Sequence, residues 1–132
     1  MTTTKLTTAV GRRKTAIASV RIYPADTNSV LVNGKSAKDY FKTDERAKVA
    51  EEALTIAESA HCYTIVAHVE GGGIAGQADA LRHAISRAIT KMEPATRTVL
   101  KAAGLMKRDP RAKERKKPGL VKARKAKQWS KR

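Results

Sequence analysis

Residues 107–132 carry 13 lysines and arginines against only Asp109 and Glu114, and so hold +11 of the chain's formal net charge of +16. Such a segment does not fold by itself. Its apolar residues, among them Leu120, Val121 and Trp129, are too few and too scattered to offset an ordering entropy of about 1–2 kcal/mol per residue for the backbone alone. It requires a polyanion. Fully extended at about 3.3 Å per residue it would reach roughly 85 Å, far beyond a domain whose radius of gyration is about 13 Å. The tail is therefore a device for touching something remote.

The whole chain has 132 residues, room for one domain of residues 11–106 between a Thr-rich arm, 1–10, and the basic tail, 107–132. Aromatics are 4% of the composition, so the core must be built from Ala, Val, Ile and Leu, which leaves little space for a deep cavity. Neither a cofactor nor a small-molecule substrate is expected. Clustered Lys and Arg gain free energy by displacing counterions from phosphates, which points to a nucleic-acid partner. A membrane surface fits poorly, because the tail lacks an interfacial Leu/Phe/Trp stripe and neither end carries a lipidation signal. Cys62 is the only cysteine, excluding an internal disulfide and a CxxC metal half-site. With no apolar signal region at the start and no long apolar run, a cytoplasmic location is the expectation.

Alternation over Thr15 to Tyr23 places Ala16, Ala18, Val20 and Ile22 on one face of a strand ended by Pro24. Val30 to Val32 makes a second short strand before the Asn33-Gly34 turn, and the simple reading is a hairpin. Ser36 caps a short helix toward Tyr40-Phe41, and Asp44 caps a longer one to about Ser59. Cys62 to Glu70 is a third strand running into Gly71-Gly72-Gly73. Ile74, Ala78, Leu81, Ile85, Ala88 and Met92 then recur at helical spacing, and Pro94 opens a last helix that Gly104 ends. Sheet on one side and helices on the other give a small two-layer α/β sandwich.

Gly71, Gly73 and Gly76 satisfy G-x-G-x-x-G between a strand and a helix. A dinucleotide fold nevertheless fails, since no second parallel strand with an acidic end follows. A Walker loop fails too, because Gln77 and Ala78 stand where Lys and Ser/Thr are needed. The physics of the loop survives: glycines admit an anion closely, and a helix N-terminus presents free N–H groups to phosphate. Two i, i+4 rows, Arg82, Ser86, Thr90 and His83, Arg87, Lys91, place a basic face beside it. Gly11-Arg12-Arg13-Lys14 adds three positive charges before the first strand. In the tail, Arg115-Lys116-Lys117 and Lys122, Arg124 and Lys125 alternate with small residues, and Trp129 can stack on a base or ribose. His61, His68 and Cys62 lack catalytic or metal partners, and no GxSxG elbow is present, so an enzyme is not expected.

These residues resemble the bacterial form of the ribosomal protein S nine family, from about Val10 to the end. The marks are Gly11-Arg12-Arg13-Lys14-Thr15, Tyr40-Phe41, Gly71-Gly72-Gly73 with Gly76-Gln77, Ala80-Leu81-Arg82-His83 and Ser86-Arg87-Ala88. The tail adds Arg108-Asp109, Glu114-Arg115-Lys116-Lys117, Gly119-Leu120, Lys122-Ala123-Arg124 and Ser130-Lys131-Arg132. Two positions depart from the family: Trp129 replaces the usual Phe, and Ala75 a usual Ser or Thr. The resemblance implies an α+β domain of the ribosomal-protein S-five domain-two-like type with a left-handed βαβ crossover. It also implies a place in the head of the small ribosomal subunit, on 16S-type rRNA and beside neighbouring head proteins. Arg12, Arg13, Lys14, Gly71, Gly72, Gly73, Gln77, Arg82, His83 and Arg87 would bind rRNA, as would Arg108, Arg111 and the tail cations from Arg115 to Lys125. Ser130, Lys131 and Arg132 would approach peptidyl-site tRNA. A free packaging protein would explain the tail but not the glycine loop; a nucleotide-dependent kinase would need a Mg²⁺-binding carboxylate and a base that are not visible.

Overall fold

The computed structural model of the chain describes residues 6–131. Its strands are β1 (Thr7–Arg13), β2 (Ala16–Ala25), β3 (Ser29–Val32), β4 (Lys35–Ser36) and β5 (Cys62–Glu70). The helices are α1 (Ala37–Phe41), α2 (Asp44–Ala57), α3 (Ile74–Met92) and, after a 3-10 turn at Pro94–Thr96, α4 (Arg97–Ala102). One mixed sheet runs in the order β1-β2-β5-β3-β4, with β3 parallel to β5 and every other pair antiparallel.

Alternation dictates the layers. Ala16, Ala18, Val20 and Ile22 of β2 and Tyr63, Ile65, Ala67 and Val69 of β5 are buried, while Ile17, Ser19, Arg21, Val66 and His68 between them are exposed. Helices thus cover one face of the sheet, and the fold is a two-layer α+β arrangement. α3 packs across β1 and β2 and α2 lies beside it, with Ala47, Ala50, Ala53 and Ala57 making a small-residue seam. Leu81, Ile85 and Ile89 of α3 are fully buried, each stabilising the fold by about 1.5–3 kcal/mol through lost apolar exposure.

Three expectations are corrected. The Thr-rich stretch read as an arm supplies a strand, since Thr7 to Arg13 pair with Ile22 to Ala16; residues 1–5 lie outside the described residues. β-branched threonines suit an edge position, and Gly11 decides the rest. A Cβ on Gly11 would lie 2.1 Å from the Ala80 carbonyl oxygen and 2.4 Å from the Ala84 nitrogen, so β1 rests backbone to backbone on α3. The hairpin between β2 and β3 does not form, because β5 lies between them and β3 reaches it through α1 and α2. Asn33 and Gly34, at φ +50° and +82°, instead turn β3 into β4. Finally, Thr43 rather than Asp44 is the N-cap of α2.

The two ends of α3 are tied differently. At its C-terminal end Glu93 accepts from Ser59 and from the Tyr63 phenol. Burial, helped by Glu93, pushes that phenol up to about 12, while the two donors hold the Glu93 carboxyl below its ordinary value. At the N-terminal end lies the glycine loop.

Candidate nucleic-acid interface

Gly71 and Gly72 have φ of +75° and +61°, a conformation that favours glycine. Cβ atoms there would lie 2.6 Å from the Thr15 carbonyl oxygen and 3.1 Å from the Ala16 nitrogen. These two residues therefore seat the loop on the turn between β1 and β2. Gly73 differs: a Cβ would meet nothing within 4 Å, and it caps α3 without any side-chain bond or first-turn acid. Only this glycine leaves the helix N-terminus open. Gln77 is buried, with Nε2 donating to the Gly71 carbonyl (3.0 Å) and Oε1 accepting from the Tyr40 hydroxyl (2.8 Å). Its amide holds the loop in shape, with a bond at each end.

The basic face divides in the same way. Arg13, its side chain 14% exposed, pairs with Asp79 at 3.3 Å and with Asp109. Arg82 pairs with Glu52 of α2 at 2.7 Å and with Asp79 at 3.5 Å. Ser86 and Thr90, in the same row as Arg82, donate back to the Arg82 and Ser86 carbonyls, 2.9 Å in both cases. This row serves the fold.

The other row turns toward β1. Arg87 donates to the Val10 carbonyl and Lys91 to the Thr8 carbonyl (2.8 Å), so two cations cover the unpaired edge of the sheet. Beside them Arg12, His83, Arg87 and Arg108 line a groove of about 330 Å³ over Val10. Burial pushes the His83 imidazole below its ordinary value; Arg87, Arg108 and Arg82 act in the same direction, while the Met106 backbone opposes them. No carboxylate lines this groove. Lys14, exposed in the turn after β1 at φ +51°, extends the positive surface.

From Lys107 to Lys131 the chain has no helix or strand, only a turn at Pro118-Gly119 and a single bridge between Leu120 and Ala126. Both tail acids are engaged. Asp109 accepts from the Arg111 backbone (2.9 Å) and guanidinium (2.8 Å) as well as pairing with Arg13. These partners, Arg111 first, hold its carboxyl far below the ordinary range. Glu114 pairs with Lys117 and, at 3.0 Å, with Arg124. Arg115, Lys116, Lys122 and Lys125 are exposed and form no ion pair among the described residues. Trp129 is 79% exposed, Ser130 and Lys131 are exposed, and Arg132 lies outside the described residues.

Of the residues assigned to RNA from the sequence, Gly71, Gly72, Gln77, Arg13 and Arg82 are thus engaged within the fold, and Arg111, Lys117 and Arg124 within the tail. Arg12, His83, Arg87 and Arg108 converge. Sequence reasoning missed the pairing that sorts them, by Glu52, Asp79, Asp109 and Glu114, because three of these pairings reach between separate elements. Among the described residues no helix is long and apolar enough to cross a membrane. A convergent basic groove beside a long cationic tail is the equipment of an RNA-binding protein, and the family model for ribosomal protein S9/S16 matches residues 11–132, so the chain belongs to this family of structural, rRNA-binding ribosomal proteins.

Proposed function

We propose that the chain is a component of the head of the small ribosomal subunit, in the cytoplasm, bound to 16S-type rRNA beside neighbouring head proteins. In this reading the domain that opens with β1 and runs to residue 106 is the rRNA-binding part, and residues 107–132 are an arm ordered by rRNA. The arm ends at peptidyl-site tRNA through Ser130, Lys131 and Arg132. The βαβ connection from β3 to β5 would be the left-handed crossover of the S-five domain-two-like type. The observation that carries the proposal is a grouping of charge: Arg12, Arg87 and Arg108, none of them ion-paired among the described residues, line one groove with His83, and the tail carries further exposed cations. Lysines and arginines of this kind displace counterions from RNA phosphates, and the disordered arm orders as it binds. The exposed Trp129 supplies a stacking face just before the last three residues.

Truncation of Ser130 to Arg132 tests the end of the arm. The shortened chain enters small subunits as before, and those subunits hold peptidyl-site tRNA more weakly. Unchanged tRNA affinity would remove the tRNA part of the proposal, and failure to sediment with small subunits would favour a free nucleic-acid-binding protein.

A further inference from the structure

Arg12 and Arg13 are consecutive in β1, yet of the two only Arg13 forms ion pairs among the described residues. The cavity on that side of His83, about 40 Å³, is lined by Arg13, Asp79, Arg82 and Asp109, with Arg12 at its boundary with the groove. The groove on the other side contains Val10, Arg12, His83, Arg87 and Arg108 and no acid. The groove, about 330 Å³ and open to solvent on one side, has room for a phosphate group. Three of its residues stand on held backbone, since β1 and α3 are locked together at Gly11. The fourth, Arg108, sits on a coil.

What steadies Arg108 is its neighbour. Asp109 pairs with Arg13, which pairs with Asp79 of α3, so tail, strand and helix are joined through one guanidinium. Leu105, buried and bonded to the Leu100 carbonyl at 3.0 Å, fixes the chain on the other side of Arg108. We infer that Arg12, His83, Arg87 and Arg108 form one seat for a single RNA phosphate, and that Asp109, although acidic, is a positioning residue that strengthens it. The inference rests on the rRNA-binding reading and deepens it.

Charge counting and geometry predict opposite signs for Asp109→Asn. Replacing an acid in a basic protein raises the attraction for anions everywhere; losing the latch releases Arg108 and weakens the seat. The groups that face His83 are Arg12 and Arg13 from β1, Asp79, Arg82 and Arg87 from α3, and Lys107, Arg108 and Asp109 from the tail root. A bound dianion offsets the arginines that disfavour the imidazolium, so binding takes up a proton at His83.

The test uses the full chain and sulfate, whose charge is constant between pH 5 and 8, added at constant ionic strength while the imidazole NMR signals are followed. Sulfate should move the His83 titration upward and leave the exposed His61 and His68 unmoved. Arg87→Gln, Arg108→Gln and Asp109→Asn should each weaken sulfate binding about tenfold, the loss expected for one charge-assisted hydrogen bond, while Asp109→Glu restores it. Circular dichroism checks that each variant is folded; if Asp109→Asn is not, Arg108→Gln and Asp109→Glu carry the test. Equal or tighter sulfate binding by Asp109→Asn, or equal shifts of all three histidines, would overturn the seat. An RNA hairpin, with heparin as the control polyanion, separates the two readings. RNA preferred over heparin without a His83 response sinks only the seat, whereas a specific His83 response with no preference for RNA sinks the rRNA reading.

Discussion

The β1–α3 face and the tail are both rich in cations, and they hold them in opposite ways. On the domain, a packed backbone places Arg12, His83 and Arg87 together, and Arg108 of the tail root joins them in one groove. In the tail, coil carries many cations, and its two acids each hold two: Asp109 pairs with Arg111 and with Arg13 of β1, and Glu114 with Lys117 and Arg124. Position comes from the domain, and most of the charge comes from the tail. Acids in such a protein are instruments of placement, since each removes two cations from the free surface and fixes where the remaining ones stand.

The sharpest way to break this comparison is to cut the chain after Arg111, which removes 10 of the 28 lysines and arginines but keeps the Asp109 latch. RNA affinity at physiological salt should fall by about 10³ or more and its salt dependence should become much shallower. The melting temperature should change by no more than about 2 °C. A large loss of thermal stability would mean that the tail is part of the fold. Next in size is Gly11→Ala, whose methyl overlaps the Ala80 carbonyl; denaturant unfolding should show a loss of about 3 kcal/mol, because two backbones must separate. Unchanged stability would contradict the close contact that places three residues of the groove.

Arg12 and Arg13 provide the finer contrast. Arg13→Gln should cost about 1–2 kcal/mol of stability, since Asp79 and Asp109 lose their common partner. Arg12→Gln should leave stability within about 0.5 kcal/mol and lower RNA affinity about tenfold, with a salt slope reduced by about one. The same loss for both would erase the distinction between paired and free cations.

The smallest effect is in the pH profile. The folded chain resists protonation of His83, so the unfolded chain binds more protons as pH falls below the ordinary imidazole value of 6.5. Stability is therefore complete above that value and declines as pH falls toward the lowered one. His83→Gln should flatten that part of the curve, which urea unfolding between pH 5 and 7 would reveal. An unchanged slope would place the titrating group elsewhere.

Periodicity made β2, β5 and α3 legible, because each has one buried face written at a fixed spacing. Asn33-Gly34 was readable as a turn for a similar reason: it is a local signal. β1 was not readable, since Ala9 and Val10 are its only apolar residues before Gly11 and its place depends on the α3 backbone beneath it. The topology was hidden for the same reason, as nothing local in β3 says that β5 will lie between it and β2. At the site, residue type identified the cations and tertiary contacts sorted them. Arg82, Ser86 and Thr90 form a row on paper, yet α2 supplies Glu52 and turns that row to structural use.

Electron cryo-microscopy of small subunits containing this chain tests the central claim most directly. The account predicts an rRNA phosphate in the groove bounded by Arg12, His83, Arg87 and Arg108, Arg13 still paired with Asp79 and Asp109, and the arm running on through rRNA from Arg111. An empty groove facing solvent, or Arg13 and Arg82 released from their acids to hold the RNA, would contradict it.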